Sequence, residues 1–132
     1  MPVRALAGLI SLGRLVFGVV CIANPGIMER GWIGKQARMP GAQVLSRAVG
    51  ARDVALGLGG LQAVGRDDGS ARPWLAGAAV CDAVDFGATW AAGRGIPSEA
   101  RKIVLGVAAT FAFLSGIAAA GNGARGELPP AS

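Results

Sequence analysis

Six ionisable side chains stand inside long apolar runs of this sequence: Arg14 in the first run, Arg47, Arg52 and Asp53 in the second, Asp82 and Asp85 in the third. Asp82 and Asp85 are three residues apart, so on a helix they share a face, which Ala78 and Thr89 extend at i, i+4, i+7, i+11. Carboxylates paired in this way can pass on a proton, hold a cation, or accept the planar fork of an arginine across both oxygens. Arg52 and Asp53 are adjacent, about 100° apart around a helix. Only one of them can aim at the Asp82/Asp85 face, and the other must turn to a different neighbour.

The cost of placing these groups in an apolar medium decides what they do. At the centre of a membrane helix an Arg or Asp costs ~2.5–3.5 kcal/mol, while each Leu, Ile, Phe or Val returns only ~0.3–0.6 kcal/mol. The three positive and three negative groups sum to zero. Arg14, Arg52, Asp53, Asp82 and Asp85 all fall near the middle of their runs, and Arg47 lies close enough to an end to extend its head toward water. The expected arrangement is a buried network in which arginines clamp the aspartate pair. Such a network is either a clasp that sets helix order and rotation, or the lining of a polar cavity for an ion, a proton or a small ligand. Neutrality within one chain favours the clasp.

The elements that must position these groups are four apolar blocks, at about 5–23, 44–64, 74–92 and 103–121. At ~1.5 Å per residue each spans a hydrocarbon layer of about 30 Å. The fold expected is all-α, an integral membrane antiparallel four-helix bundle over residues 1–121, followed by a disordered Gly/Pro-rich tail at 122–132. The connection between the first two blocks is bounded by Pro25-Gly26 and Pro40-Gly41. Within it Ile27, Met28, Trp32 and Ile33 fit the apolar side of a short helix lying on the membrane surface. Ser98 is placed to cap the fourth helix. Trp74 and Trp90 are 16 residues apart, about 24 Å along a helix, one for each interfacial belt, and Trp32 is a third interfacial anchor. Gly50, Gly57 and Gly60 lie along one side of the second helix, where small residues let backbones approach when lipid supplies no hydrophobic drive. The run Gly57-Leu58-Gly59-Gly60 follows no strand and is not a nucleotide loop.

Composition supports this frame and excludes other functions. The 132 residues are 52% hydrophobic with 22 glycines, and 16% are charged, against about 25% in ordinary soluble domains. With no His, no Tyr and only Cys21 and Cys81, the chain lacks the usual metal ligands and most intramembrane catalysts. No catalytic residue, metal or cofactor is expected. The first block is expected to be retained rather than cleaved, because Arg14 interrupts it and no small-x-small site follows. The first and third connections carry Arg30, Lys35, Arg38, Arg94, Arg101 and Lys102, against Arg4, Arg66, Arg72 and Arg125 on the opposite side. That bias favours both termini outside the cytoplasm. Anionic headgroups account for the basic loops without nucleic acid.

The segment Arg47-Ala-Val-Gly50-Ala-Arg52-Asp53-Val-Ala-Leu-Gly57 has the pattern R-x-x-G-x-R-[DE]-x-x-x-G, and Cys81-Asp82-Ala-Val-Asp85 follows in the third block. Together they resemble a family of small, uncharacterised four-helix integral membrane proteins common in high-GC bacteria. Leu12-Gly13-Arg14-Leu-Val-Phe-Gly18 is similar to that family's first helix and, more loosely, to DoxX-like membrane proteins. The resemblance covers about residues 6–120 and implies no biochemical activity. The function expected is therefore that of a non-enzymatic multi-pass protein of the bacterial cell membrane. Its Arg/Asp network orders the helices and lines a small polar site, with the bilayer as environment and room for a membrane-protein partner or a homo-oligomer. The alternative is a small ion- or proton-coupled transporter using Asp82 and Asp85.

Overall fold

A computed structural model of the chain describes residues 3–27, 32–66 and 69–126, with no strand among them. Four helices, α1 (Val3–Ala23), α2 (Pro40–Arg66), α3 (Ala71–Ala92) and α4 (Ser98–Gly126), account for most of these residues. Each outlasts the apolar block that predicted it, for local reasons. Proline at the first helical position costs no hydrogen bond and has the right φ, so α2 starts at Pro40, and the Gln43 amide donates to the Met39 carbonyl at 3.1 Å. The turn into α3 uses Gly69 at φ 80°, and α3 ends at Gly93, whose φ of 53° suits glycine alone. The helix α4 begins at Ser98, with the Arg101 amide bonded to the Pro97 carbonyl at 2.9 Å. It continues past the expected end at 121, because Gly121 packs on Val3 of α1 and the Asn122 amide donates to the Ala118 carbonyl at 2.8 Å. Residues 122–126 of the expected tail are therefore helical, and residues 127–132 lie outside the described part.

Contacts fix the arrangement as a ring of antiparallel neighbours, α1 to α2 to α3 to α4 and back to α1. Along the first pair Gly18 meets Gly50, Ser11 and Leu15 meet Gly57, and Gly8 meets Val64. A Cβ on Gly18 would lie 2.5 Å from the Gly50 carbonyl oxygen, and one on Gly57 would lie 2.7 Å from both the Leu15 nitrogen and the Ser11 oxygen. The α1 and α2 backbones are thus in direct contact, a spacing that only glycine permits. Gly60 faces the Ser11 side chain, while Gly59 turns to α3 and receives the Trp74 indole.

The interior has three storeys. At one end Ala7, Ile10, Ala63, Ala71, Leu75, Ala118 and Ala119 form an apolar cluster. At the other, Cys21 and Ala37 pack with Trp32, Ile33 and Val49. Between them lie charged groups. Large apolar side chains are placed the other way round: among the described residues twenty of them, including Leu45, Trp90 and Phe113 at 67%, 69% and 68%, are exposed. The largest fully buried side chains are Leu75, Thr89, Cys21 and Ser115. Among the described residues two helices, α1 and α4, are long and apolar enough to cross a membrane. The charges on α2 and α3 lower the apolar character of those two.

The first connection departs from the expected surface helix. Trp32 and Ile33 turn inward against Cys21 and Val49, and a short 3-10 turn, Gly34–Arg38, brings Ala37 into the same cluster. Burying an indole and an isoleucine on the bundle end removes more apolar surface from water than leaving them outside it. Met28 lies outside the described residues.

Candidate functional site

Arg14 sits near the middle of α1, on the face turned to α2 and α3, and is 5% exposed. Its Nη1 donates to Asp53 Oδ1 of α2 at 2.7 Å, and its Nη2 donates to Asp82 Oδ2 of α3 and, at 3.3 Å, to the Ala78 carbonyl. One guanidinium thereby joins three helices. Arg52 makes a separate two-pronged pair with Asp85, Nη1 to Oδ1 at 3.1 Å and Nη2 to Oδ2 at 2.8 Å, and its Nε stands 3.6 Å from Asp53 Oδ1. The adjacent residues Arg52 and Asp53 thus do aim at different neighbours, Arg52 at α3 and Asp53 at α1.

Burial grades these pairs. Asp53 and Asp82 are 3% and 8% exposed, whereas the Arg52 and Asp85 side chains are only partly covered. Attraction between the buried groups is strong because little water screens it, and the matching desolvation cost makes any lost partner expensive. The predicted face of Ala78, Asp82, Asp85 and Thr89 is the inward face of α3, with three of the four buried and Asp85 half-buried. Thr89 is used as well: its Oγ1 accepts the Trp32 indole N–H at 3.1 Å. Trp32 is therefore held inside the bundle end, while Trp90 at the end of α3 is largely exposed and Trp74 is divided between Gly59 and the surface.

Arg47 does not join the network. It is exposed on α2 and pairs with no described residue. The physical reason is helical phase: Arg47 and Arg52 are five residues apart, about 140° round the helix, so the face that carries Arg52 toward Asp85 carries Arg47 away.

No match is found among family models, curated proteins or solved structures. What the arrangement can do must be taken from its own geometry. Beside the ion pairs lies a cavity of about 370 Å³. Arg14, Asp53, Asp82 and Asp85 form its polar floor, and Phe17, Trp32, Val104, Val107 and Phe111 are among its walls. Sequence reasoning found the floor and missed the walls contributed by α4. An apolar side chain reads the same whether it faces lipid, a core or a cavity, so no signal in the sequence marked Val107 or Phe111. Among the described residues no group of His, Cys, Asp and Glu has the arrangement of a metal site.

Proposed function

We infer that this chain is a non-enzymatic integral membrane protein, a four-helix bundle of the bacterial cell membrane whose Arg/Asp network orders the helices and lines a small polar site. The observation that carries this reading is the inverted distribution of side chains. Among the described residues, ion pairs, alanines, glycines and hydroxyls make up most of the interior, with Ile10, Leu75 and Ile96 the larger apolar exceptions. Most leucines, valines, isoleucines and aromatics are not buried, twenty large apolar side chains being exposed. In water that surface would carry a severe hydrophobic penalty, since a soluble bundle buries its large apolar residues. In hydrocarbon the same surface is solvated, and the buried charges are then the groups that must find partners. The apolar lengths of α1 and α4 support the same setting. In a bundle, α2 and α3 need not be apolar all round, because their charges face Arg14 and one another rather than lipid. The resemblance to small four-helix membrane proteins agrees with this reading.

Alkaline carbonate washing of membranes from cells expressing the full chain tests it. The chain is expected in the pellet with integral proteins, and quantitative release into the supernatant would overturn the reading. A second reading, a small ion- or proton-coupled transporter, is favoured by the cavity that reaches Asp82 and Asp85. Flux measurements in proteoliposomes, with and without a pH gradient, decide between the two. Silence toward a broad set of cations under both conditions removes the transporter.

A further inference from the structure

With Arg47 outside the network, its charges no longer cancel. Arg14 and Arg52 face Asp53, Asp82 and Asp85, so the cluster holds one more carboxylate than guanidinium among the described residues. The surplus has a location. Both oxygens of Asp85 are taken by Arg52. Arg14 takes Asp53 Oδ1 and Asp82 Oδ2, and the second oxygen of each of those two carboxylates accepts no hydrogen bond from any described residue, although the two side chains are only 4% and 11% exposed. Asp53 and Asp82 both line the cavity, whose remaining wall is apolar and includes three aromatic rings, Phe17, Trp32 and Phe111. Phe17, Val107 and Phe111 are also partly exposed, which places an apolar opening between α1 and α4.

We propose that this cavity binds a lipophilic monocation, a protonated or quaternary amine with a compact aromatic or branched aliphatic body. Its head lies against the second oxygens of Asp53 and Asp82, and its body lies among Phe17, Trp32 and Phe111. Charge selects the sign of the ligand: one positive head balances the surplus carboxylate, whereas an anion would sit beside three. The walls select its chemistry. Aromatic faces attract an organic cation through their quadrupoles and cover its hydrocarbon body, while a hydrated metal ion would find apolar rings where it needs oxygen ligands. A volume of about 370 Å³ accommodates a molecule with one ring and a small substituted ammonium head. The inference rests on the membrane reading above, in which the opening between α1 and α4 faces hydrocarbon and a ligand dissolved in lipid enters sideways.

The test uses the full chain in detergent micelles, with tryptophan fluorescence as readout because Trp32 lines the cavity. Benzyltrimethylammonium is expected to give a saturable change. Its neutral carbon isostere, neopentylbenzene, should require roughly tenfold or higher concentration, and benzenesulfonate should give no saturable change. Asp82→Asn should weaken the cation response by a similar factor, Trp32→Phe should remove the signal, and Arg47→Gln should leave it unchanged. A monodisperse chain that shows no saturable response to the cation, or responds alike to cation and neutral isostere, overturns the proposal. The three-ligand comparison needs only the unmodified chain, so it stands even if Asp82→Asn fails to fold. Retention in carbonate-washed membranes together with indifference to ligand charge would refute the ligand class alone, whereas release by carbonate would refute the membrane reading.

Discussion

Replacing Arg14 strips two carboxylates at once, because its terminal nitrogens serve Asp53 and Asp82 on different helices. Removing one partner of a buried charge pair costs about 3–5 kcal/mol, more than the pair itself contributes. Arg14→Met is therefore expected to lower the thermal midpoint of the detergent-solubilised chain sharply or to abolish its monodisperse peak in size-exclusion chromatography. Arg47→Gln, at an exposed position outside the network, should change stability by less than about 0.5 kcal/mol. Equal effects of the two substitutions would contradict the geometry. At this scale most of the site was legible. Charges in apolar runs are costly, their spacing sets which face they share, and Arg52 and Asp53 had to diverge. Arg47 was misplaced because its chemical type argued for pairing, against its place near the helix end and its helical phase, both of which favour the exposed position it takes.

The contact between α1 and α2 depends on three glycines with no room for a methyl group. A Cβ on Gly57 would meet the Leu15 nitrogen and the Ser11 oxygen, which are backbone atoms and cannot rotate away. Gly57→Ala should force the helices apart and cost roughly 1–3 kcal/mol, read as a lowered unfolding midpoint. Gly106→Ala, where nothing lies within 4 Å, is the matched control and should leave that midpoint in place or raise it, since alanine is the better helix former. At the other end of the bundle Trp32→Phe keeps the ring but removes the indole N–H that Thr89 accepts. The expected loss is about 0.5–1.5 kcal/mol, and Thr89→Val should add little to it in the double variant. The stripe of glycines identified the tight helix pair in advance. The inward turn of Trp32 was not legible, because an amphipathic connection fits a membrane surface and a bundle end equally well and only the pocket beside Cys21 and Val49 decides.

Across the whole molecule, antiparallel order puts the connection before α2 and the one before α4 at the same end, so Lys35, Arg38, Arg94, Arg101 and Lys102 gather there. If that end faces the cytoplasm, as the basic bias favours, a C-terminal alkaline phosphatase fusion should be active and a C-terminal green fluorescent protein fusion dark. Bright cytoplasmic fluorescence would reverse the assignment. The number of helices, their approximate limits and the presence of a charged middle storey were all determined by sequence, because apolar run length, glycine and proline turns and the cost of lone charges act locally. Which arginine serves which aspartate, the exclusion of Arg47, the surplus carboxylate and the cavity walled by α4 were decided only by the tertiary structure. Those properties depend on the rotation of each helix about its axis, and rotation is set by side chains from all four helices meeting at one depth.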